Sequence, residues 1–450
     1  LDTEKFHKLP DKPPSPFKAA GQEVMLVSFT EGTVTGSPGY DRIRAMPSYV
    51  YLEASIDIGA KIERTTDLFT NVGSCILMNS DKKALEQDIQ AIRDMEVDAS
   101  MFTLEEHAVP LKRPRTRTRA NSELPMTGRV RILSVDRPDL DAKPMGKVHS
   151  IAEEKCAVVV VDPYSTGCCV ALECFERGYK VISLWSKEAT DELKGPEHRP
   201  HSCASLEYHA ELDEKPTVEE TGKMVKEAIG SLRLVAVICG GESGVPTADA
   251  LSEHLGLRTN GTQIPQRRDK KIQQELVKAA GLRSVRQAGG TNYSDVKEFL
   301  EKESMPVVVK PVESAGSDGV KLCHSLEEAT AHFEVLMTAQ HKVGSQGAAV
   351  LCQEFLKGKE YVIDHVSVDG VHKTVMVWVY DKRAVNGAAF VYFGMVPVPS
   401  DSPEAKLLIP YIRGVLDALQ IKNGPTHGEA MMTEDGPCLV EMNCRAHGGD

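Results

Sequence analysis

From Cys156 onward the chain alternates short apolar runs with helix-patterned segments, and this alternation restricts the fold more than any other feature. AVVVVDP (157–163) is a continuous apolar run, the mark of a strand buried on both faces of a parallel sheet. A helix pattern GCCVALECFERG follows, then strand VISLW (181–185), helix TVEETGKMVKEAIGSL, strand LVAVICGG (234–241) and helix PTADALSEHLGL (246–257). Strands separated by helices predict βαβ units and an open parallel sheet. The loop DPYSTG (162–167) lacks GxGxxG, so no dinucleotide site is read there. It does end a sheet strand, where such sheets bind ligands, so Ser165 and Thr166 fit a small-molecule contact and plain loop structure equally well.

The 450 residues suffice for roughly two to four domains. Net charge is −12, which argues against nucleic acid or a membrane surface as the partner, and no apolar run approaches a membrane span. Eleven scattered cysteines, without a paired CxxC pattern, suggest reduced thiols in the cytoplasm rather than a disulfide or zinc framework. Residues 1–20, with KLPDKPPSPFK, are expected to be disordered. Residues 21–110 hold material for a small α/β domain whose role is not read: strands VMLVSF (24–29) and SCILMN (74–79), and helix KKALEQDIQAIRDM (82–95). Residues 111–153 read as a linker in which KRPRTRTRANSELP (112–125) packs five basic residues into eight. A solvated tether is preferred there over a phosphorylation site at Thr118 or Ser122, or a nuclear address. The chain starts at Leu1 without Met and stops at Asp450, directly after CLVEMNCRAHGG, so it reads as a fragment truncated at its C-terminus.

The remaining chemistry lies beyond residue 266. RRDKKIQQELVKAAGL (267–282) is a helix with Lys270 and Lys271 in its first turn, the unfavourable end for the helix dipole. An anion would explain them, although a surface lysine pair explains them alone. MPVVVKPVESAGSDGVKLC (305–323) is a buried strand ending in Lys310, followed by Ser314, Gly316, Ser317 and Gly319. Small residues let backbone amides approach a ligand and form anion nests, so the lysine and loop read as a phosphate grip without the Walker pattern. VLCQEFLKGKEYVIDHVSVDG (350–370) looks like two strands joined by a short KGK turn; Gln353, Glu354 and Glu360 read by themselves as edge residues.

HGEAMMTEDGPCLVEMN (427–443) reads as a hairpin around Glu434-Asp435-Gly436, with Gly436 in the left-handed position of a three-residue loop. That register pairs Thr433 with Pro437 and sets Glu429 opposite Glu441. Cross-strand Cβ atoms lie about 4.5–5.5 Å apart, so two buried carboxylates there need a shared proton or a cation. Asn443 adds a neutral oxygen on the same face, which makes a hard-cation site suited to magnesium with bound phosphates. Arg445 continues that face and offers paired donors to a phosphoryl or carboxyl oxygen.

From about Cys156 to Asp450 the chain resembles an ATP-grasp ligase, most similar to the L-amino acid ligase and carnosine synthase branch. RRDKKIQQELVKAAGL, PVVVKPVESAGSDGV, QEFLKGKEY and HGEAMM…LVEMNCRAHGG carry the resemblance, in order and spacing. It implies an α/β ATP-grasp fold: a parallel βαβ pre-ATP-grasp domain (154–265) and an ATP-grasp domain (266–450) whose two α+β subdomains grip ATP, the small lid at about 300–358. It implies Lys270 and Lys310 on the ATP phosphates, Ser314–Gly319 as the closing loop, Gln353, Glu354, Phe355 and Leu356 as the adenine hinge, and Glu360 on the ribose hydroxyls. Glu429, Glu441 and Asn443 would hold Mg2+ (or Mn2+), and Arg445 would steady an acyl phosphate as a catalytic residue beside Lys310. The implied activity is ATP-dependent amide formation between a small carboxylate and an amine, with amino acids as substrates. A thiol as acceptor, or a catalytically silent ATP-binding regulatory module, are the alternatives, and a homodimer is allowed.

Overall fold

The computed structural model describes residues 3–105, 156–195, 198–312, 319–338 and 349–448. The basic stretch at 112–125, with Thr118 and Ser122, lies outside them, as do Ser314, Gly316 and Ser317.

The βαβ region forms a four-stranded parallel sheet in the order Arg233–Cys239, Cys156–Val161, Lys180–Trp185, Ala210–Asp213. Every residue of Cys156–Val161 is buried, as a strand covered by helices on both faces requires. Thr217 and Glu220 close a capping box on the helix Val218–Ile229, which fixes where it starts. The fourth strand, AELD, is short and half-exposed, so it leaves no hydrophobic signal in the sequence.

A second, antiparallel sheet runs Gln287–Gly290, Val350–Glu354, Val307–Pro311, Lys321–Cys323, with helices Tyr293–Lys302 and Leu326–Thr338 packed on it through Leu300, Phe333 and Leu336. It therefore begins before residue 300. Val350–Glu354 belongs to this sheet, whereas Lys359–Val368 belongs to the next. The expected two-strand KGK hairpin is thus corrected: residues 355–358 cross from one sheet to the other.

The large sheet has eight strands. Five lie toward the C-terminus: β1 (Lys359–Val368), β2 (Val371–Val385), β3 (Ala388–Pro397), β4 (Gly424–Thr433) and β5 (Gly436–Asn443), in the order β5-β4-β1-β2-β3. Side chains alternate across a strand, and here the two faces differ completely. Tyr361, Ile363, Val377, Ala430, Leu439 and Met442 pack under the helix α2 (Pro403–Ala418) through Leu408, Ile412, Val415 and Leu416. The other face carries the charged groups described below.

The N-terminal part joins the large sheet, and the expected disorder of residues 1–20 is corrected. Ala20–Met25 pairs with β3 (Glu23 with Met395, Val24 with Gly394) and with Ser74–Asn79, which pairs in turn with Tyr49–Glu53. The small α/β unit therefore extends the large sheet, and its strands Lys61–Ile62, Gly32–Gly36 and Thr103–Leu104 make a further three-stranded sheet. Gly394 allows the junction: its φ is +149°, and a Cβ there would lie 2.1 Å from the Glu23 carbonyl oxygen. Arg93 locks the contact from the helix above, pairing with Glu96 at 2.7 Å and donating to the carbonyls of Met25 and Phe393. The proline-rich lead-in is also ordered: Thr3–Lys8 is helical, Phe6 is buried, and the Thr374 N–H donates to the Asp11 carbonyl at 2.9 Å.

Ile363 is fully buried between β1 and α2. Ile363→Ala should cost about 2–5 kcal/mol in urea unfolding, because the rigid sheet cannot collapse onto the lost methyls. A loss below about 1 kcal/mol would show that this face is not the packed core assigned to it.

Candidate active site

The hairpin pairs Glu429 with Glu441 as expected, but by a different route. Its turn has two residues, so Thr433 pairs with Gly436 rather than with Pro437, and Ala430 pairs with Leu439. Val440 is then left without a partner, and this bulge shifts the register by one. Leu439 can thereby face the core while Glu441 faces Glu429.

β5 is an edge strand whose outer side is closed by helix α1 (Lys270–Ala279). Gln273 exchanges two hydrogen bonds with the Met442 backbone, donating at 2.7 Å and accepting at 2.9 Å; Gln274 donates to the Leu439 carbonyl at 2.9 Å. Both glutamines are buried side chains acting as a strand substitute. Asp269 caps α1 through the Lys271 and Ile272 N–H groups, which places Lys270 directly over Glu441, Nζ to Oε2 3.1 Å. Lys271 turns instead to the Gly289 carbonyl of the neighbouring sheet.

On the charged face, alternate residues of each strand line up. β1 supplies Glu360 and Asp364, β2 Trp378, Tyr380 and Lys382, β3 Tyr392, β4 His427 and Glu429, and β5 Glu441 and Asn443. Lys382 bonds Glu360 at 2.7 Å and lies over the rings of Tyr380 and Tyr392. His427 bridges Asp364 and Glu429, 3.1 Å to each, and the Tyr380 hydroxyl donates to Glu429 at 3.4 Å. Asn443 donates its amide N–H to Glu441 at 3.2 Å, which leaves its Oδ1 for a cation. The predicted magnesium set thus fits the ion chemically, with two facing carboxylates and one amide oxygen.

Burial would raise both carboxyls, but the lysine and imidazolium charges outweigh it. Glu429 is held low by its His427 bond and Lys382, and Glu441 by Lys270. Glu360 shifts upward, because burial and the Glu429 charge exceed what Lys382 returns. His427 is raised to about 9 against its burial by the Asp364 and Glu429 bonds, whereas burial and the His427 charge lower His447.

The predicted residues do not all converge. Lys310, next to last in the strand Val307–Pro311, feels Lys270, Glu441, Glu429 and Glu360 and belongs to the cluster. Gly319 sits at φ +71° with Pro311 so close that only glycine fits. Gln353 and Glu354 are buried on the strand Val350–Glu354, not at an exposed edge: Gln353 donates to Gln287 at 2.9 Å, and Glu354 pairs with Arg286 at 2.6 Å. Phe355 and Leu356 open the crossing segment. Arg445 follows the end of β5, its Nε 3.3 Å from Glu242, which also takes Arg268 at 2.9 Å. Glu242 follows the parallel strand Arg233–Cys239, so the parallel sheet meets the charged face here. Tyr164 of the DPYSTG loop neighbours Glu242 and Arg445; Asp162 is buried there on Ser186 and Ser243. Asp364, Trp378, Tyr380, Lys382, His427, His447 and Glu242 escaped the sequence reading. A separate groove of about 720 Å³ between the helix Lys82–Val97 and β2, lined by Gln22, Arg93 and Arg383, contains none of the site residues.

Asp364, His427 and His447 also bring ligand-type atoms within 4.8 Å of one another. Each imidazole Nδ1 lies 3.1 Å from a different Asp364 oxygen, and Trp378, which can only donate, takes the same carboxylate at 2.8 Å. The group is a carboxylate surrounded by donors.

The antiparallel sheet that carries Lys310 and the large sheet bring buried lysines to a carboxylate pair, and residues 268–450 match the family model for the phosphoribosylglycinamide synthetase ATP-grasp (A) domain, so this part of the chain is an ATP-grasp domain. Dapdiamide A synthase of Enterobacter agglomerans is 34% identical over 217 residues, 48% of this chain and 51% of that protein. Alanine–anticapsin ligase of Bacillus subtilis is 25% identical over 328 residues, 69% of this chain and 68% of that one. Among solved structures, the MgADP-bound biotin carboxylase domain of Hydrogenobacter thermophilus 2-oxoglutarate carboxylase superposes with a TM-score of 0.50 at 16% identity, covering 64% of each chain. The chain spans about half the length of the dapdiamide synthase it matches.

Burial, and then the Lys270 charge, push Lys310 down to about 8 from 10.5. The folded protein then binds this proton more weakly than the unfolded chain, so Lys310 costs stability below about pH 8, and the cost fades as pH rises toward 10.5. Lys310→Met should therefore raise the urea midpoint of the nucleotide-free protein at pH 7, with the gain shrinking above pH 8. A midpoint unchanged or lowered at pH 7 would reject the crowding of cations at this site.

Proposed function

We propose that the protein is an ATP-dependent carboxylate–amine ligase that forms an amide through an acyl phosphate, joining amino acids or amino-acid-like compounds. The facing pair Glu429 and Glu441, ringed by Lys270, Lys310 and Arg445, carries the reading. A carboxylate pair with lysines suits a metal nucleotide, but nucleotide binding alone has no use for a buried arginine beyond the pair.

Lys270 and Lys310 take the phosphates, with Ser314, Gly316, Ser317 and Gly319 as the loop over them. Gln353, Glu354, Phe355 and Leu356 form the adenine hinge, with Glu354 fixed to Arg286 through both its side chain and its backbone N–H. Glu360 takes the ribose hydroxyls. Mg2+ or Mn2+ would be held by Glu429, Glu441 and Asn443 and, when bound, would offset the negative charge of the phosphates. Lys270 releases Glu441 for a phosphate as nucleotide enters. A substrate carboxylate oxygen attacks the γ-phosphorus, ADP leaves, and Arg445, held by Glu242, donates to the acyl phosphate as its charge develops. Amine attack on the carbonyl carbon then gives amide and phosphate. All eleven cysteines are free thiols, and among the described residues no helix is long and apolar enough to cross a membrane, which is compatible with a cytoplasmic setting.

The test is ADP release by the full-length protein with a panel of amino acids, singly and in pairs. Arg445→Ala should lower pair-dependent turnover by about 10²-fold or more while ATP affinity stays within about threefold. Tight ATP binding with no ADP from any pair would favour a regulatory module instead.

A further inference from the structure

Asp364 is the most heavily used acceptor on the charged face. It takes Trp378 Nε1–H at 2.8 Å, His427 Nδ1 at 3.1 Å and His447 Nδ1 at 3.1 Å. Nδ1 as donor fixes the imidazole tautomer and leaves the lone pair of a neutral ring on Nε2. In His427 that second nitrogen is already committed, 3.1 Å from Glu429. In His447 it is not: among the described residues its Nε2 has no hydrogen-bond partner. The His447 ring is held by packing as well, 4.1 Å from the His427 ring and edge-on to Trp378 and Tyr380.

The position of this dyad matters as much as its tautomer. Glu360 and Asp364 lie on one face of β1, about 13 Å apart at four residues of strand rise. Glu360 lies among the charges that act on Lys310, and Asp364, at the opposite end, holds His447, which is two residues of chain from Arg445. His447 therefore stands beyond the carboxylate pair, on the side of Arg445 rather than of the phosphate lysines.

Amide formation needs a proton acceptor at that end. An amino acid arrives with its amino group as an ammonium, which has no lone pair and cannot attack a carbonyl. The groups facing this place are Asp364, His427, Arg445, Tyr380 and Trp378, with Glu242 behind Arg445. Asp364 is occupied by three donors, both His427 nitrogens are engaged, Glu242 is paired with Arg268 and Arg445, Arg445 is a permanent cation, and Tyr380 and Trp378 present protons.

We propose that His447, oriented by Asp364, is the base that deprotonates the incoming amine, an inference that rests on the ligase reading above. Nε2 takes one ammonium proton, giving the free amine and an imidazolium held by Asp364. The amine lone pair forms the C–N bond, the C–O bond to phosphate breaks with its electron pair, and the second amine proton leaves with the phosphate as hydrogen phosphate. The imidazolium returns its proton to water. Asp364 is a positioning residue in this scheme, in the manner of an acid that holds a base in one tautomer.

Hydroxylamine separates this role from the rest of the reaction, because it is unprotonated at neutral pH and traps an acyl phosphate as a hydroxamate without a base. Full-length His447→Asn and His447→Gln should form amide at least about 10²-fold more slowly than the native protein. Their hydroxamate formation from the same carboxylate, and their ATP affinity, should stay within about threefold. Equal loss of amide and hydroxamate would assign His447 to activation or folding, and unchanged amide formation would remove it from the chemistry; either overturns the proposal. A native protein that makes hydroxamate from no carboxylate would instead overturn the ligase reading itself.

Discussion

Four carboxylates, Glu360, Asp364, Glu429 and Glu441, lie on one largely buried face of one sheet, and the rest of the site is arranged to make that tolerable. Like charges at strand spacing repel, and burial removes the water that would screen them. Each acid has a cation or donor set: Lys382 for Glu360, His447, His427 and an indole for Asp364, the same His427 for Glu429, and Lys270 for Glu441. Replacing one member leaves its partner buried and unmatched, which is why such networks act as units rather than as sums of pairs.

The scaffold follows from that requirement. A buried face can carry this many charged and polar groups only if its reverse is apolar and covered, and α2 supplies the cover through Leu408, Ile412 and Leu416. The edge strand β5 carries the two outermost ligands and cannot be left frayed, so Gln273 and Gln274 of α1 complete its hydrogen bonds and deliver Lys270 in the same stroke. At the other flank the N-terminal strand Ala20–Met25 pairs with β3, the strand that carries Tyr392 beside Lys382. The N-terminal unit thereby supports the site without reaching into it.

Much of this was legible in the sequence, for physical reasons that also mark where legibility stops. Period-2 alternation in VEMN and HGE exposed Glu441, Asn443 and Glu429, because a buried strand has no other reason to carry acids on one face. The same rule applied to EYVID and WVYDK puts Glu360 with Asp364, and Trp378 with Tyr380 and Lys382, on one face each. The Val440 bulge was not legible, since an extra residue leaves no composition signal, and the Glu429–Glu441 pairing came out right because a longer turn and a bulge shift the register equally. Pairing of residue 24 with residue 394, and the handover of the chain between sheets at 355–358, depend on distant segments that no local pattern encodes.

The central claim is that this face activates a carboxylate by phosphorylation before an amine attacks. The most direct test is turnover of a substrate acid labelled with oxygen-18 in its carboxyl group, followed by mass analysis of the inorganic phosphate. An acyl phosphate requires the bridging oxygen to come from the acid, so label should appear in the phosphate in step with amide. Amide and ADP accumulating while the phosphate stays unlabelled would contradict the account.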